Sequence, residues 1–406
     1  MAVFHPTSVL ETGYDILFFW VARMVIMTEY ALNEVPFHQV YIHGLVLDKH
    51  GKKMSKSKEE TAVDPITLIE QFGADALRLS MITGVTPGND MRLSTEKVEG
   101  CRNFVNKLWN ISRFIFDQLE KDTAPHGTST PIALTLSDQW IITRLQTVIT
   151  EVTHHIDRSE FSQASETLRM FTTDELADWY LEIAKIEGNK SSVLLLIIET
   201  LLALWHPMLP YITEVLYQHL ISTGKLSHTV QTTLLMVHQW PSQLPEIHSP
   251  EAVEKQFSLI RQLVVGIRNA RAEHRIPPSD KLAATFYAPY HSELIKHHEL
   301  IIMRLARLNL ITLQESGEKP TDAIYIKTQD VEVFLPLSGF ASESEAGRLD
   351  KEIAGLTTAL QGVETRLASA EFTAKAPEKI IALEREKVVT YQEKLAKLQE
   401  QRAHLS

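Results

Sequence analysis

The residues best suited to do chemistry are Lys53-Met54-Ser55-Lys56-Ser57. Lys53 and Lys56 set two ammonium groups three residues apart, with the hydroxyls of Ser55 and Ser57 close by in the chain. Five lysines fall between positions 49 and 58 of a protein whose formal charge is −11. A loop that basic in a protein that acidic is placed to meet an anion. The run Val40 to Leu47 before it reads as extended and apolar. After it a helix is announced by Asp64 as N-cap and Pro65 at the first helical position. Strand, lysine loop and helix together make a common cradle for phosphates. A bare Lys-x-x-Lys would read as a solvated turn, so the flanks carry the functional reading.

Those flanks belong to residues 1–95, where short strand-like and helical runs alternate. Phe4 to Leu10 reads as a strand, a helix starts near Asp15, and two more helices cover 65–72 and 75–83. Alternation of this kind predicts α/β architecture. The repeated strand–helix units of a complete nucleotide-binding sheet are missing, so the chain is expected to open mid-domain. From 96 to 250 three-four spacing predicts a helical bundle. Its stripes are Val98, Cys101, Val105, Leu108 and Trp109; then Ile141, Leu145, Val148 and Val152; then Leu176, Trp179, Tyr180 and Ile183. Val193 to Leu204 follows, and a last helix from Pro210 carries Ile212, Val215, Leu216 and Leu220.

Residues 251–340 read as a small α/β unit: a helix from Phe257 to Glu273, then strands Leu282 to Tyr287 and Val331 to Leu337 with a helix between them. Ser338 to Glu345, rich in Ser, Gly and acid, reads as a linker. Residues 341–406 carry a heptad seam. Leu349, Ile353, Leu356, Leu360, Val363 and Leu367 form one arm, and Ile381, Val388, Tyr391, Leu395, Leu398 and Leu405 the other. Pro377 lies in the interruption between them and favours an antiparallel coiled-coil hairpin over pairing with another molecule. The fold class expected is therefore mixed and mainly α.

Composition limits the alternatives. The 406 residues are enough for two to four domains. An apolar fraction of 44% and a charged fraction of 22% are ordinary for a globular protein. The single cysteine, Cys101, excludes an intramolecular disulfide and a cysteine-cluster metal site, which suits a cytoplasmic setting. No metal site is expected. No secretory leader is read at the start. The most apolar run, Ile16 to Met27, is broken by Arg23, is too short to span a bilayer, and reads as a buried helix.

The lysine string and its setting resemble the second signature loop of the class I aminoacyl-tRNA synthetases. The resemblance extends along the chain, and its detail is that of the valyl-tRNA synthetases. It is carried by Phe4-His5-Pro6-Thr7, by Thr12-Gly13-Tyr14-Asp15 running on through Ile16 and Trp20 to Met24, by Tyr41-Ile42-His43-Gly44-Leu45-Val46, and by Gly73-Ala74-Asp75-Ala76-Leu77-Arg78. Pro87-Gly88-Asn89-Asp90, Val98-Glu99-Gly100 and Arg102-Asn103-Phe104 add to it. Asp178-Trp179-Tyr180-Leu181-Glu182 and His206-Pro207-Met208-Leu209-Pro210 resemble the family's anticodon-binding bundle. The C-terminal seam, with Phe372 and Lys375-Ala376-Pro377 between its arms, resembles its tRNA-binding coiled coil.

The resemblance implies four regions: the second half of a Rossmann-like catalytic domain (1–95), an anticodon-binding bundle (96–250), a junction unit (251–340) and a tRNA-binding arm (341–406). It implies attachment of valine to tRNA(Val) through a valyl-adenylate, with ATP entering as its Mg2+ complex. Lys53 and Lys56 would offset charge on the leaving pyrophosphate, with Ser55 and Ser57 as hydrogen-bonding groups. Ile16 and Trp20, four apart on a helix, would wall the valine pocket, a branched aliphatic beside an indole making a small dry surface. In the arm, Arg366, Lys375, Lys379, Lys387, Lys394 and Lys397 would reach phosphates. Glu59-Glu60 departs from the glycine and asparagine usual after the signature loop. The family's His-x-Gly-His first signature and its inserted editing domain have no counterpart and are expected upstream of Met1. An upstream polypeptide is therefore an expected partner, and the complete enzyme is expected to be a monomer with no membrane contact. Two rival readings are a non-catalytic tRNA-binding fragment or split subunit, and an isoleucyl-type ligase. The latter is disfavoured by the hairpin and by the stretch Thr12 to Met24.

Overall fold

The computed structural model describes residues 3–48, 50–52, 64–121, 133–226, 234–242, 244–318, 320, 323–336, 340–368 and 378–403. Two compact units divide within one long helix, the first Met1–Ser258 and the second Leu259–Ser406. Both are mainly helical.

The first unit begins with β1 (Thr7–Gly13), then a 3₁₀ turn (Tyr14–Ile16), a π-turn (Leu17–Val21) and α1 (Ala22–Leu32), leading to β2 (Phe37–His43). β1 and β2 are parallel, in register from Thr7↔Phe37 to Gly13↔His43. The crossover through α1 is the length a parallel pair needs. The strand read at Phe4 to Leu10 is thus displaced toward Gly13. Its ladder opens with the Thr7 amide donating to the Pro36 carbonyl at 2.9 Å, and Pro6 before it has no amide to give. The extended run 40–47 is also two pieces. After β2 comes β3 (Val46–Leu47), parallel to β4 (Met91–Arg92). Gly44 separates the pieces because its backbone lies against residue 89: a Cβ there would sit 1.9 Å from the Asn89 carbonyl oxygen.

The largest correction concerns the apolar run 16–27. Of residues 14–32 only Val21 is buried, while Phe18 is 85% exposed, Phe19 67% and Tyr30 88%. Apolar composition all round predicts burial only when something covers each face. Between β3 and β4 lie α2 (Pro65–Phe72) and α3 (Ala74–Ile82). Leu68, Ala76, Met91, Leu93 and Val98 form the small core here.

The helices that follow are α4 (Thr95–Lys121), α5 (Leu136–Asp157), α6 (Phe161–Met170), a π-helical stretch (Phe171–Tyr180), α7 (Leu181–Glu187), α8 (Ser191–Trp205) and α9 (Pro210–Ser222). The stripes on α5 and on 176–183 are buried as spaced. Two others need correction. On α4 the buried line is Phe104, Leu108, Ile111, Ile115 and Leu119, and Trp109 is 40% exposed. On α9 the buried line is Thr213, Leu216, Tyr217 and Leu220, and Val215 is 56% exposed. Thr213 tolerates burial because its Oγ1 donates to the Leu209 carbonyl at 2.7 Å and contacts His206 Nδ1 at 2.8 Å.

α10 (Pro250–Glu273) carries the chain across the division. The second unit then holds β5 (Leu282–Tyr287), α11 (Ser292–His297), α12 (Glu299–Ala306), β6 (Leu308–Gln314), β7 (Ala323–Thr328) and β8 (Val331–Pro336). The sheet order is β6-β5-β8-β7, with β5–β6 parallel and the other pairs antiparallel. Two of the four strands, β6 and β7, were not read from the sequence.

Last come α13 (Phe340–Ala368) and α14 (Glu378–Ala403). Arg366 lies by Glu384 and Glu364 by Gln392, so the two helices run antiparallel. Ile353, Leu356, Leu360 and Leu367 are half-buried in the seam and Val363 is buried. The linker read at 338–345 is corrected: α13 starts at Phe340, where Ala341, Glu343, Glu345 and Ala346 are good helix formers.

Candidate functional site

The site is built on the roots of the lysine loop. At its start the Asp48 carboxylate accepts from the amides of Lys52 at 2.8 Å and His50 at 2.9 Å, and Gly51 turns with φ +78°. The Lys52 amide foremost, with help from His50, holds the Asp48 carboxyl below its ordinary range against the opposing effect of burial. At its end Asp64 caps α2, its side chain accepting from the Ile66 amide at 3.1 Å. A carboxylate therefore anchors each end. Lys53, Ser55, Lys56 and Ser57, with Glu59 and Glu60, lie outside the described residues.

The C-terminal ends of parallel strands are where open α/β sheets receive ligands. Here those ends are Thr12-Gly13 and His43-Gly44. The Trp20 indole donates to Thr12 Oγ1 at 3.0 Å, which ties the π-turn to the end of β1. Ile16 closes the 3₁₀ turn and Trp20 lies within the π-turn, so the α-helical stacking expected from their spacing does not apply. Ile16 is 40% and Trp20 38% exposed, an open surface rather than an enclosed wall. His43 lies 3.3 Å from Glu11 through Nε2, and its Nδ1 is 2.8 Å from the Gly44 carbonyl. Asp90 accepts from the Leu45 amide at 2.7 Å and fixes the backbone just past Gly44.

A cavity of about 670 Å³ adjoins these residues, with Glu11, Tyr41, His43 and Phe161 in its lining. Alternation along β1 turns Glu11 and Thr12 to opposite faces. The cavity and Trp20 therefore lie on different sides of the strand pair.

Two motifs that are far apart in sequence meet where this region joins the bundle. The Asp75 carboxylate, 6% exposed, accepts from the amides of Ile212 at 2.7 Å and Tyr211 at 3.4 Å, at the start of α9. Arg78, one turn on, donates to the carbonyls of Pro207 at 3.2 Å and Met208 at 3.4 Å. Burial pushes the Asp75 carboxyl above its ordinary range, against the pull of those amides and of Arg78. At the start of α5, Lys190 is buried with its ammonium 2.7 Å from Asp138, 2.6 Å from Glu187 and 2.8 Å from Thr135. The Tyr180 hydroxyl donates to the other Asp138 oxygen at 2.7 Å. Burial, then Asp138, raises the Tyr180 phenol, which stays protonated as that donor.

Sequence reasoning missed Asp48, Asp75, Lys190 and Glu384. Glu384 takes a seam position between Ile381 and Val388, is 6% exposed, and is held by Lys387 at 2.7 Å. The heptad count itself reveals it, since 384 completes the three-four alternation.

Residues 1–94 match the model for class I tRNA synthetases of the I, L, M and V types. Residues 138–286 match the anticodon-binding domain of tRNA ligases, and residues 342–406 the valyl tRNA synthetase tRNA binding arm. Valine–tRNA ligases of Geobacter sulfurreducens and Dehalococcoides mccartyi are each 38% identical over 97% of this chain and 45% of their own length. That of Clostridium acetobutylicum is 38% identical over 99% of the chain and 46% of its own. The chain thus spans about half the length of these relatives. A methionyl-tRNA synthetase of Mycobacterium tuberculosis with methionyl-adenylate bound aligns over 59% of the chain at 20% identity and a TM-score of 0.47. Kinship along nearly all of its length, through three successive synthetase regions, makes the chain a member of the class I aminoacyl-tRNA synthetase family in its valyl branch.

Proposed function

We propose that this chain carries the ATP-loop and tRNA-binding portions of a valine–tRNA ligase, which joins valine to tRNA(Val) through a valyl-adenylate. The observation that supports this most directly is the rooting of the 53–63 segment between the Asp48 turn and the Asp64-capped α2. The two fixed ends set where the lysine-bearing segment leaves the strands and where it enters α2. Lys53 and Lys56 then offset negative charge on the departing pyrophosphate, and Ser55 and Ser57 donate to its oxygens. ATP enters as its Mg2+ complex, so the ion comes with the substrate. Ile16 and Trp20 meet the valine side chain on the open face beside Thr12.

The regions follow the same reading: 1–95 catalytic, 96–250 anticodon-binding, 251–340 a junction, 341–406 the arm. The exposed Phe18, Phe19, Ile26 and Tyr30 support a further synthetase polypeptide seated on α1 and the π-turn before it. That partner supplies the rest of the ATP site, and the complete monomer works in the cytoplasm. No helix of the described residues is long and apolar enough to cross a membrane.

The test is Lys56→Ala in a complete synthetase, read by valine-dependent exchange of pyrophosphate into ATP. A donor aimed at developing charge acts in the transition state, so the rate should fall roughly 10²–10³-fold with little change in valine binding. A fall of less than about threefold would make the lysine part of a solvated loop.

A further inference from the structure

The sheet of the second unit is charged unequally at its two ends. Where parallel β5 and β6 begin, six cations gather: Arg268, Arg271, Arg275, Lys281, Arg304 and Arg307. Lys281 and Arg307 directly precede the two strands. Arg271 is 5% exposed and donates to the carbonyls of Pro277, Asp280 and Arg307. Arg307 donates to the Pro278 carbonyl, and Arg268 to that of Leu305. These bonds tie the end of α10, the turn 274–281 and the end of α12 into one piece. Glu273 and Asp280 are the carboxylates in the same stretch. Glu315, Glu318, Asp330 and Glu332 lie at the opposite end, where Tyr287 stands across from Glu332.

Two features bear on what this end of the sheet meets. α10 and α12 each run out through an arginine in the left-handed region, Arg275 at φ 53° and Arg307 at φ 57°. Glycine or asparagine is favoured at such positions, and an ordinary side chain there is strained. A cation near a helix C-terminus is favourable, but it need not occupy the left-handed position itself. Second, β8 runs antiparallel to β5, so it ends at Pro336 toward this same cationic end, and the chain enters α13 four residues later.

We propose that this arginine cluster is a binding site for the phosphodiester backbone of a folded RNA, at the base of the C-terminal hairpin. It rests on the tRNA reading above, and adds to it a contact in the junction unit. Arg271, buried and bonded to carbonyls, holds the turn and adds charge from below. Arg275, Lys281, Arg304 and Arg307 are exposed and present theirs to phosphates. The contact is to backbone charge and carries no base preference.

The test is titration of the full chain with a valine-accepting tRNA transcript over a series of salt concentrations. Arg275→Gln, and the triple variant Arg275→Gln, Lys281→Gln, Arg304→Gln, leave Arg271 and Arg307 to hold the turn. Thermal melting checks that both are folded. The slope of log affinity against log salt should become shallower by about one for each cation that meets a phosphate. Lys327→Gln removes the same charge near the acidic end and should leave the slope as it was. Slopes unchanged in the arginine variants, or equally changed by Lys327→Gln, would overturn the site while the tRNA reading stood. If the unaltered chain binds no tRNA, the parent reading falls and this one with it.

Discussion

Asp75 is the residue whose removal most directly probes how the loop-bearing region is joined to the helical bundle. Its carboxylate is nearly buried and accepts from two amides at the first turn of α9, one of them at 2.7 Å. Pro210 stands at the start of that helix and has no amide, so Tyr211 and Ile212 are the first donors the helix offers. A hydrogen bond to a charged acceptor is worth roughly 1.5–3 kcal/mol, and a carboxylate at a helix N-terminus adds about 0.3–1 kcal/mol. The second bond, at 3.4 Å, adds little. Burial works against these terms, as the raised pKa of Asp75 records. The expected net loss for Asp75→Ala is therefore about 2–3 kcal/mol, or roughly 5–10 °C in melting temperature for a unit of this size. Asp75→Asn keeps one acceptor and should lose about 1 kcal/mol. Because burial raises the carboxyl's pKa, its titration favours the fold most below pH 3.8, and that contribution fades as pH rises through the folded value. Asp75→Asn removes this slope. The assay is thermal melting of wild type and both variants with amide exchange at Tyr211 and Ile212. A loss under about 0.5 kcal/mol for Asp75→Ala with unchanged exchange at Ile212 would refute the cap.

Lys190→Met should cost about 3–5 kcal/mol in urea unfolding, because Asp138 and Glu187 would keep their burial and lose their cation; a cost below about 1 kcal/mol would show that the network relaxes or is wet. The Asp48 turn should be fully stable above pH 3.8 and weaken as pH falls through its lowered pKa, read as faster exchange of the His50 and Lys52 amides once corrected for intrinsic rates. Loss of protection well above pH 3.8 would mean that another group controls the turn. Gly44→Ala has no room for its methyl against Asn89 and should destabilise at the upper end of single substitutions, with loss of the Leu45–Asp90 bond; an unchanged melting curve would contradict the close approach.

What could be read from the sequence follows from which interactions are local. The lysine string, Asp64-Pro65 and the heptads announce themselves because a turn, a cap and a seam are each set within a few residues. Trp109 and Val215 fit the three-four spacing yet stand off the buried face, which on α9 admits a self-satisfied threonine instead. β6 and β7 escaped because their alternation is weak, and their identity as strands depends on β5 and β8 beside them. Ile16 and Trp20 were placed on one α-helical face, but the chain turns there through 3₁₀ and π geometry, which no residue count reveals.

The residues to which the sequence assigned no structural role share a physical character. Asp48, Asp75, Lys190 and Glu384 are charged and nearly buried; the first three are satisfied by a turn, a distant helix end and a helix cap, and Glu384 by Lys387 at one of its two oxygens. A charged residue in sequence reads as surface, because burial of charge is costly without partners. The partners of Asp75 lie more than 130 positions away. Yet Asp75 sits within Gly73-Ala74-Asp75-Ala76-Leu77-Arg78 and its donors directly follow His206-Pro207-Met208-Leu209-Pro210, two motifs that carried the family resemblance separately. Their contact gives both a common cause: each preserves one side of the joint that holds α2 and α3, and with them the end of the lysine loop, against the first turn of α9. A substitution on either side should then loosen the same joint, so Asp75 and Arg78 variants are expected to be non-additive with changes at Pro207 or Met208.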